Sequence, residues 1–457
     1  MLSQIPRNLY PRFTPFSKIP KSVKYIINDV LDNPVKINKN GENNNIVKQI
    51  SAYNNNKHIC EYQNNSVSDL ETYFSNYSKY KLEYDKITFD DRKHIFLKAA
   101  DLLQNKYYDK MLAYTILSQN KTLYEAELDA ICELVDFLRF NVHYADLITK
   151  KQPIQTKGIT NLSEYNSLNG FVASITPFNF TAIGGNLATA PLLFGNSVLW
   201  KPSDNSVLPN YLFHEIMLEA GLPTDILNFS PMDPKEFLST ITENKDLASV
   251  LFTGSSEVMD NIYSNIGKNI KTYKNYPRIV GETGGKNFHF VETLPDISND
   301  SIINTFENKM EFLVTKTLES AFNFSGQKCS ACSVLYIPED LLDDFVKCVN
   351  SNFTNYMTSN NNYGVINEKS YNKLDDIISD LKNDQEIEFI LTGDNNKEKS
   401  YFIHPQIFVC RNHEHKVYGE EFFGPLLTVY PYNRKDSYEV LDMCIERNNY
   451  ALTGSIF

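Results

Sequence analysis

The sequence predicts an α/β fold: a parallel sheet with helices on both faces, a Rossmann-like layer, followed by a second α/β unit. Three features predict it. Between residues 170 and 252, apolar runs of strand length alternate with segments of helix length, and that repetition builds a parallel sheet. The last of these strands leads into Thr253-Gly254-Ser255-Ser256, small residues placed where a helix begins. After Cys329, strand and helix alternate again.

In chain order, the first 80 or so residues are rich in Asn, Tyr, Lys and Ile, and the runs Asn43-Asn44-Asn45 and Asn54-Asn55-Asn56 read as loop tips. Helical spacing follows, with Ile95, Phe96, Ala99, Leu102 and Leu103 on one face. One longer helix is expected over 122–148, its stripe formed by Leu123, Ala126, Ala130, Ile131, Leu134, Phe137 and Leu138. Glu125, Glu127 and Glu133 are expected on its solvated face. Residues 151–168 are polar, broken by Pro153 and Gly158, and read as a protruding hairpin or linker.

The sheet begins with a buried strand over 170–175, then a loop, Thr176-Pro177-Phe178-Asn179-Phe180. A helix of small residues over 183–193 can pack closely. A strand over 196–203 ends in a polar loop, and a helix over 211–220 is closed by Gly221 and Pro223. Strand 226–229, helix 234–241 and strand 249–252 complete the layer. Past it, Glu282 is expected in a glycine-flanked bend before a strand over 287–291. The second unit shows a strand over 333–337, a helix over 341–357 and an acidic-aromatic loop over 418–425 before a strand over 426–430.

Three stretches carry chemistry. Gly326-Gln327-Lys328-Cys329-Ser330-Ala331-Cys332 is a plausible reactive-thiol loop: the glycine allows close backbone approach, and a neighbouring cation favours the nucleophilic thiolate. A small buried hydrophobe is the other reading of such a cysteine. The turn 253–256 exposes backbone N–H groups at the positive end of a helix dipole, the ordinary place for a pyrophosphate, although there is no GxGxxG and Ser255 could be only an N-cap. In its bend Glu282 is either a solvated carboxylate or, if partly desolvated, a group whose raised pKa suits a general base.

Composition narrows the function classes. A net charge of −12 disfavours a general nucleic-acid binder. No run approaches the ~20 apolar residues of a membrane span. Seven scattered cysteines are not a disulfide framework. A lone C-x-x-C, Cys329 to Cys332, lacks the second pair of a zinc site, so no metal is expected; a redox pair is a further reading of it.

Taken in order, Pro177-Phe178-Asn179, Lys201-Pro202-Ser203, Phe252-Thr253-Gly254-Ser255, Glu282-Thr283-Gly284-Gly285-Lys286, Gly326-Gln327-Lys328-Cys329 and Glu421-Phe422-Phe423-Gly424-Pro425 resemble the motifs of the aldehyde dehydrogenase superfamily. The resemblance runs from about Asp91 to Phe457. Stretches 177–187, 284–291 and 326–332 are similar to the branch that acts on glutamate γ-semialdehyde, the open form of a hydrated pyrroline ring. The resemblance implies NAD-dependent oxidation of that aldehyde to L-glutamate, the second step of proline degradation. It implies Cys329 as nucleophile, Glu282 as the base that activates hydrolytic water, and Asn179 with the Cys329 N–H as oxyanion donors, all around one reacting carbon. Lys201, Ser203, Gly254 and Ser255 would lie about the adenosine and pyrophosphate, and Glu421 and Phe423 at the nicotinamide end. Phe178, Lys328, Ser330 and Glu127 would border the substrate.

The implied organisation is an N-terminal part of the NAD-binding domain over 1–150, an oligomerisation hairpin over 151–168, the Rossmann-like core over 169–290 and the catalytic domain over 291–457. The family continues past residue 457, so the expectation is a C-terminally incomplete catalytic domain and weak or no activity. A homodimer or larger homo-oligomer is implied for the full-length protein, and no nucleic-acid or membrane partner. Compartment follows source: the mitochondrial matrix if eukaryotic, otherwise the cytoplasm. Two alternatives remain at this stage, an aldehyde dehydrogenase for a different acid-bearing aldehyde, and a catalytically silent fragment or binding module.

Overall fold

The computed structural model describes residues 5–37, 46–294, 308–359, 364–398, 400–447 and 450–457. The run Asn43-Asn44-Asn45 lies outside them, and Asn54-Asn55-Asn56 forms a turn. The chain divides into two compact units, Met1–Ser51 with Asn56–Glu282, and Ala52–Asn55 with Thr283–Phe457.

The first unit holds a small sheet of β1 (Val35–Ile37), β2 (Ile46–Ile50) and β3 (His58–Gln63), and a larger one of β4 (Phe171–Ile175), β5 (Val198–Lys201), β6 (Leu227–Phe229), β7 (Leu247–Gly254) and β8 (Arg278–Thr283). The larger sheet has the order β6-β5-β4-β7-β8, with β4 parallel to both β5 and β7. Its inner strands are buried along nearly their whole length, as sheets covered on both faces require. The chain winds outward from β4 through β5 to β6, then returns to β7 on the other side. That reversal is a topological switch point, where the carboxyl ends of two adjacent strands diverge and leave a crevice. Ile175 and Phe252 are paired across it, so the 176–180 loop and the Gly254–Ser255 turn leave the sheet side by side.

Two expectations for the helical segment are corrected. The single helix over 122–148 is instead Leu123–Glu127, a widened turn over Leu128–Cys132, and Glu133–Lys150. In the widened turn the Glu133 N–H reaches back five residues to Leu128 O. Glu125 and Glu127 are buried and Glu133 is half-buried, so they are not a solvated face. Buried polar partners are the reason. Glu125 closes a capping box with Thr122, while Glu127 accepts from Arg12 N (2.5 Å), Phe13 N (2.9 Å) and the Tyr108 hydroxyl. Periodicity reports apolar stripes and is blind to an acceptor needed by a distant backbone.

Residues 151–168 form a hairpin tied by side chains more than by a strand ladder. Asn161 N donates to Gln155 Oε1 and Ser163 N to Gln152 Oε1, both at 2.9 Å. Its apolar residues face outward, Ile154 at 90% exposure and Leu162 at 77%.

The second unit contains β9 (Asn287–Phe290), β10 (Cys332–Pro338), β11 (Gly364–Val365), β12 (Ile387–Leu391), β13 (Tyr401–Phe402), β14 (Gln406–Cys410), β15 (Leu426–Tyr432) and β16 (Gly454–Ile456). Six of them form one sheet in the order β12-β14-β15-β10-β9-β16. Only β12 runs antiparallel to its neighbour. Alternation along β10 sends Val334 and Tyr336 to one core and Leu335 and Ile337 to the other, and a register shift between Cys332 and Val334 places Cys332 in the second core as well. The helix Glu368–Lys382 covers the first core through Tyr371, Leu374 and Ile378, and the helices Lys309–Phe322 and Glu339–Ser359 cover the second.

Candidate active site

In the first unit the loop after β4 is pinned to the next strand. Trp200 Nε1 donates to Thr176 Oγ1 at 3.0 Å, Thr176 N to Lys201 O at 3.1 Å, and Ser206 Oγ to Pro177 O at 3.4 Å. These bonds hold Asn179, which is 4% exposed, and the half-buried Phe178 at the end of the sheet. The helix Thr181–Thr189 packs as closely as its small residues allow. A Cβ at Gly185 would meet the Phe213 ring at 2.7 Å and Leu134 at 2.8 Å.

Lys201 ends β5 as a buried cation. Burial pushes its pKa below the usual lysine range, and Asp204 pulls the other way. Its Nζ reaches Pro202 O at 3.1 Å and Asp204 Oδ1 at 3.4 Å. Ser203 starts a short 3₁₀ turn without a side-chain cap bond. Gly254 is the last residue of β7, and a Cβ there would run into the Phe252 ring. Ser255 is the N-cap of the helix Ser256–Lys268, its Oγ accepting from Val258 N at 3.4 Å. The capping role read from sequence is present, and it leaves the helix start as the electropositive end of a thirteen-residue dipole.

Glu282 departs from its expected setting. It lies inside β8, the edge strand of the five-stranded sheet, not in a bend. It is half-buried there. The chain continues extended through Gly281 because the sheet edge supplies hydrogen-bond partners that sequence-local reasoning cannot count.

In the second unit, three consecutive residues before the cysteine turn adopt left-handed backbone: Phe324 (φ 50°), Ser325 (φ 53°) and Gly326 (φ 67°). The two non-glycine members are buried, at 2% and 1% exposure. Left-handed non-glycine residues in a core persist only where the surroundings over-determine them, and they cluster at functional sites. Gly326 is obligatory for a second reason, since a Cβ there would strike Gly424 O. Gln327, 1% exposed, locks the winding by accepting from Ile366 N at 2.9 Å and donating to Phe324 O at 3.2 Å.

The chain then makes a turn, Ala331 N donating to Lys328 O at 3.0 Å. Cys329 sits in it at 9% exposure, flanked by half-buried Lys328 and Ser330. Cys332 differs in kind. Its thiol is buried, pushed up to about 12 by that burial, and directed at Val334 O at 3.4 Å. Both are free thiols, and a thiol held that high is a poor thiolate donor for the redox-pair reading.

The glycine pair before β9 meets the acidic-aromatic loop. Glu421 Oε1 accepts from Gly285 N at 3.1 Å, and burial raises the Glu421 pKa. Phe423 is half-buried and left-handed, φ 55°. A small cavity lies among Gly285, Lys328, Ala331, Cys332, Glu421 and Phe423.

Sequence reasoning gave no role to the next two residues. Lys286 is 3% exposed, donates from Nζ to Glu420 O at 2.8 Å and lies 4.3 Å over the Phe422 ring. Burial pushes it down to about 7. Asn287, 2% exposed, donates to Cys329 O and Ala331 O. The available signal was a Lys-Asn pair heading an apolar strand directly after Gly-Gly, polar groups where a strand would otherwise be apolar.

The profile described as "Aldehyde dehydrogenase family" matches residues 39–457. The chain belongs to the aldehyde dehydrogenase family. Among aldehyde dehydrogenases with curated names, it is 38% identical over 416 residues to a protein of Emericella nidulans named "Delta-1-pyrroline-5-carboxylate dehydrogenase, mitochondrial", which covers 87% of this chain and 70% of that one. It is 38% identical over 426 residues to the protein of the same name from Dictyostelium discoideum, 90% of this chain and 73% of that one. Among solved aldehyde dehydrogenase structures, it resembles the Delta-pyrroline-5-carboxylate dehydrogenase from Mycobacterium tuberculosis bound with NAD. The TM-score is 0.88 at 30% identity, covering 99% of this chain and 84% of that one. No helix among the described residues of this family member is long and apolar enough to cross a membrane.

Proposed function

We propose that this chain oxidises L-glutamate γ-semialdehyde, the open form of 1-pyrroline-5-carboxylate, to L-glutamate with NAD, in proline degradation. The observation that carries the reading is the Cys329 turn. A nearly buried cysteine follows three left-handed residues, in a chain whose relatives and structural neighbour are named for pyrroline-5-carboxylate, the ring-closed form of that aldehyde.

The roles follow from chemistry. The Cys329 thiolate attacks the aldehyde carbon and forms a thiohemiacetal. Asn179 and the Cys329 N–H hold the oxyanion, an effect worth about 3–4 kcal/mol per donor in comparable sites. Loss of hydride leaves a thioester on Cys329, and Glu282 takes a proton from the water that hydrolyses it. Phe178, Lys328, Ser330 and Glu127 are proposed to border the substrate.

The first unit is proposed as the NAD-binding domain and the second as the catalytic domain. The residues fit such a cofactor: a small-residue strand-to-helix turn at a topological switch point offers N–H groups to a pyrophosphate. Gly254 and Ser255 would hold that group, Lys201 and Ser203 the adenosine half, and Glu421 and Phe423 the nicotinamide end. NAD, when bound, supplies the hydride acceptor.

The exposed apolar residues of 151–168 support association with a second copy. The mitochondrial names of eukaryotic relatives support a matrix location if the source is eukaryotic.

The test is NADH formation by the purified chain with glutamate semialdehyde against propionaldehyde as control. Cys329→Ala is expected to abolish the signal while NAD binding, read by fluorescence, persists. Turnover in that variant overturns the assignment, and preference for propionaldehyde overturns the substrate.

A further inference from the structure

We propose that Asn287 is a positioning residue for the reactive thiol: its carboxamide sets the turn that aims the Cys329 N–H and ties that turn to the 452–453 segment. The inference rests on the nucleophile reading of Cys329 given above.

The carboxamide is saturated. Nδ2 donates to Cys329 O at 2.7 Å and to Ala331 O at 2.9 Å. Oδ1 accepts from Leu452 N and Thr453 N, both at 2.9 Å. A primary amide has two donors and two acceptor sites in this half of its inventory, and all four are in use. The orientation is unambiguous, because a flipped amide would set its oxygen against two carbonyls and its N–H groups against two N–H groups. At 2% exposure, water is not available to replace any partner.

The consequence lies in the peptide plane before the cysteine. A trans peptide points its C=O and N–H in opposite directions. The Lys328 C=O is held by Ala331 N at 3.0 Å, so the Cys329 N–H of the same plane is aimed the other way. That turn keeps its shape only while the carbonyls of Cys329 and Ala331 stay where they are, and Asn287 is the group that holds both. Thr453 Oγ1 adds a bond to Ser330 O at 3.2 Å from the segment that Asn287 also grips. One side chain therefore joins three stretches: the head of β9, the cysteine turn and the approach to β16. A misplacement of about 1 Å in a catalytic group can cost roughly 100-fold in rate.

The probe is p-nitrophenyl acetate with the purified chain. The thiolate forms an S–C bond to the acetyl carbon, the C–O bond breaks, and p-nitrophenolate leaves with its electron pair. This step needs thiolate and oxyanion donors but no hydride acceptor. Acetyl-Cys329 is quantified by peptide mass spectrometry, and the rate is expressed per folded chain.

Asn287→Ala is expected to slow acylation about 10- to 100-fold and to speed amide hydrogen exchange over 328–331 and 452–453. Asn287→Asp separates the roles. It keeps oxygen acceptors for Leu452 N and Thr453 N, and offers the cysteine turn no donor when ionised and one at most when protonated, so acylation should slow while exchange over 452–453 stays protected. A fold-stabilising role alone would not split these readouts, and the aspartate variant carries the test if the alanine variant does not fold. Either folded variant acylating at the wild-type rate overturns the inference alone. A wild-type chain that neither releases p-nitrophenolate nor carries acetyl on Cys329 overturns the nucleophile reading and this inference with it.

Discussion

The Glu421 carboxylate occupies the space a side chain on Gly284 would need: a Cβ built there would lie 2.0 and 2.3 Å from the two carboxylate oxygens. The adjoining Gly285 N–H holds the carboxylate in place at 3.1 Å. The glycine pair is thus a seat for Glu421, the residue proposed for the nicotinamide end. Gly284→Ala should displace Glu421 and weaken NAD binding by roughly 10-fold, the equivalent of ~1.4 kcal/mol. Isothermal titration with NAD checks it, and unchanged affinity would show that Glu421 does not need this seat.

Gly326 has two reasons to be glycine, a left-handed φ of 67° and the carbonyl of Gly424 against its α-carbon. Gly326→Ala should cost about 1–2 kcal/mol for the backbone conformation alone, with a further penalty for the clash. A melting temperature within one degree of the parent would contradict this.

Lys286 links stability to pH. Its folded pKa of about 7 is below the ordinary lysine value of 10.5, so between those values the unfolded state binds more protons. Stability then rises with pH across that window, and the cost of burying the charge is complete below it. Lys286→Met should remove this rise. Urea midpoints at pH 6.5 and pH 9, compared between parent and variant, provide the measurement. Equal slopes in the two proteins would mean that Lys286 is not the group responsible.

Glu127 secures an N-terminal strap. It accepts from the backbone of Arg12 and Phe13 and from Tyr108, while the Arg12 guanidinium lies 3.9 Å over the Tyr108 ring. Glu127→Ala leaves several groups without an acceptor, each worth about 1–3 kcal/mol. Trypsin cleavage after Arg12 should accelerate, as followed by mass spectrometry. Cleavage at the parental rate overturns the strap; a rise in the KM for glutamate semialdehyde beside faster cleavage is the outcome expected if Glu127 also borders the substrate, as proposed.

Local pattern and motif order were enough for much of this protein. Strand-length apolar runs alternating with helical segments specify the parallel sheets, because alternation and covering helices are properties of short stretches of chain. The glycines at 284, 285 and 326 were likewise legible, since each lies in a motif of a few neighbouring residues. Only the tertiary structure decided the rest. It placed Glu282 within an edge strand, turned Glu125 and Glu127 inward, and joined Asn287 to residues 42 and 165 positions away. The physical reason is common to all three: a polar group's environment depends on which distant backbone comes to lie beside it, and no local periodicity records that.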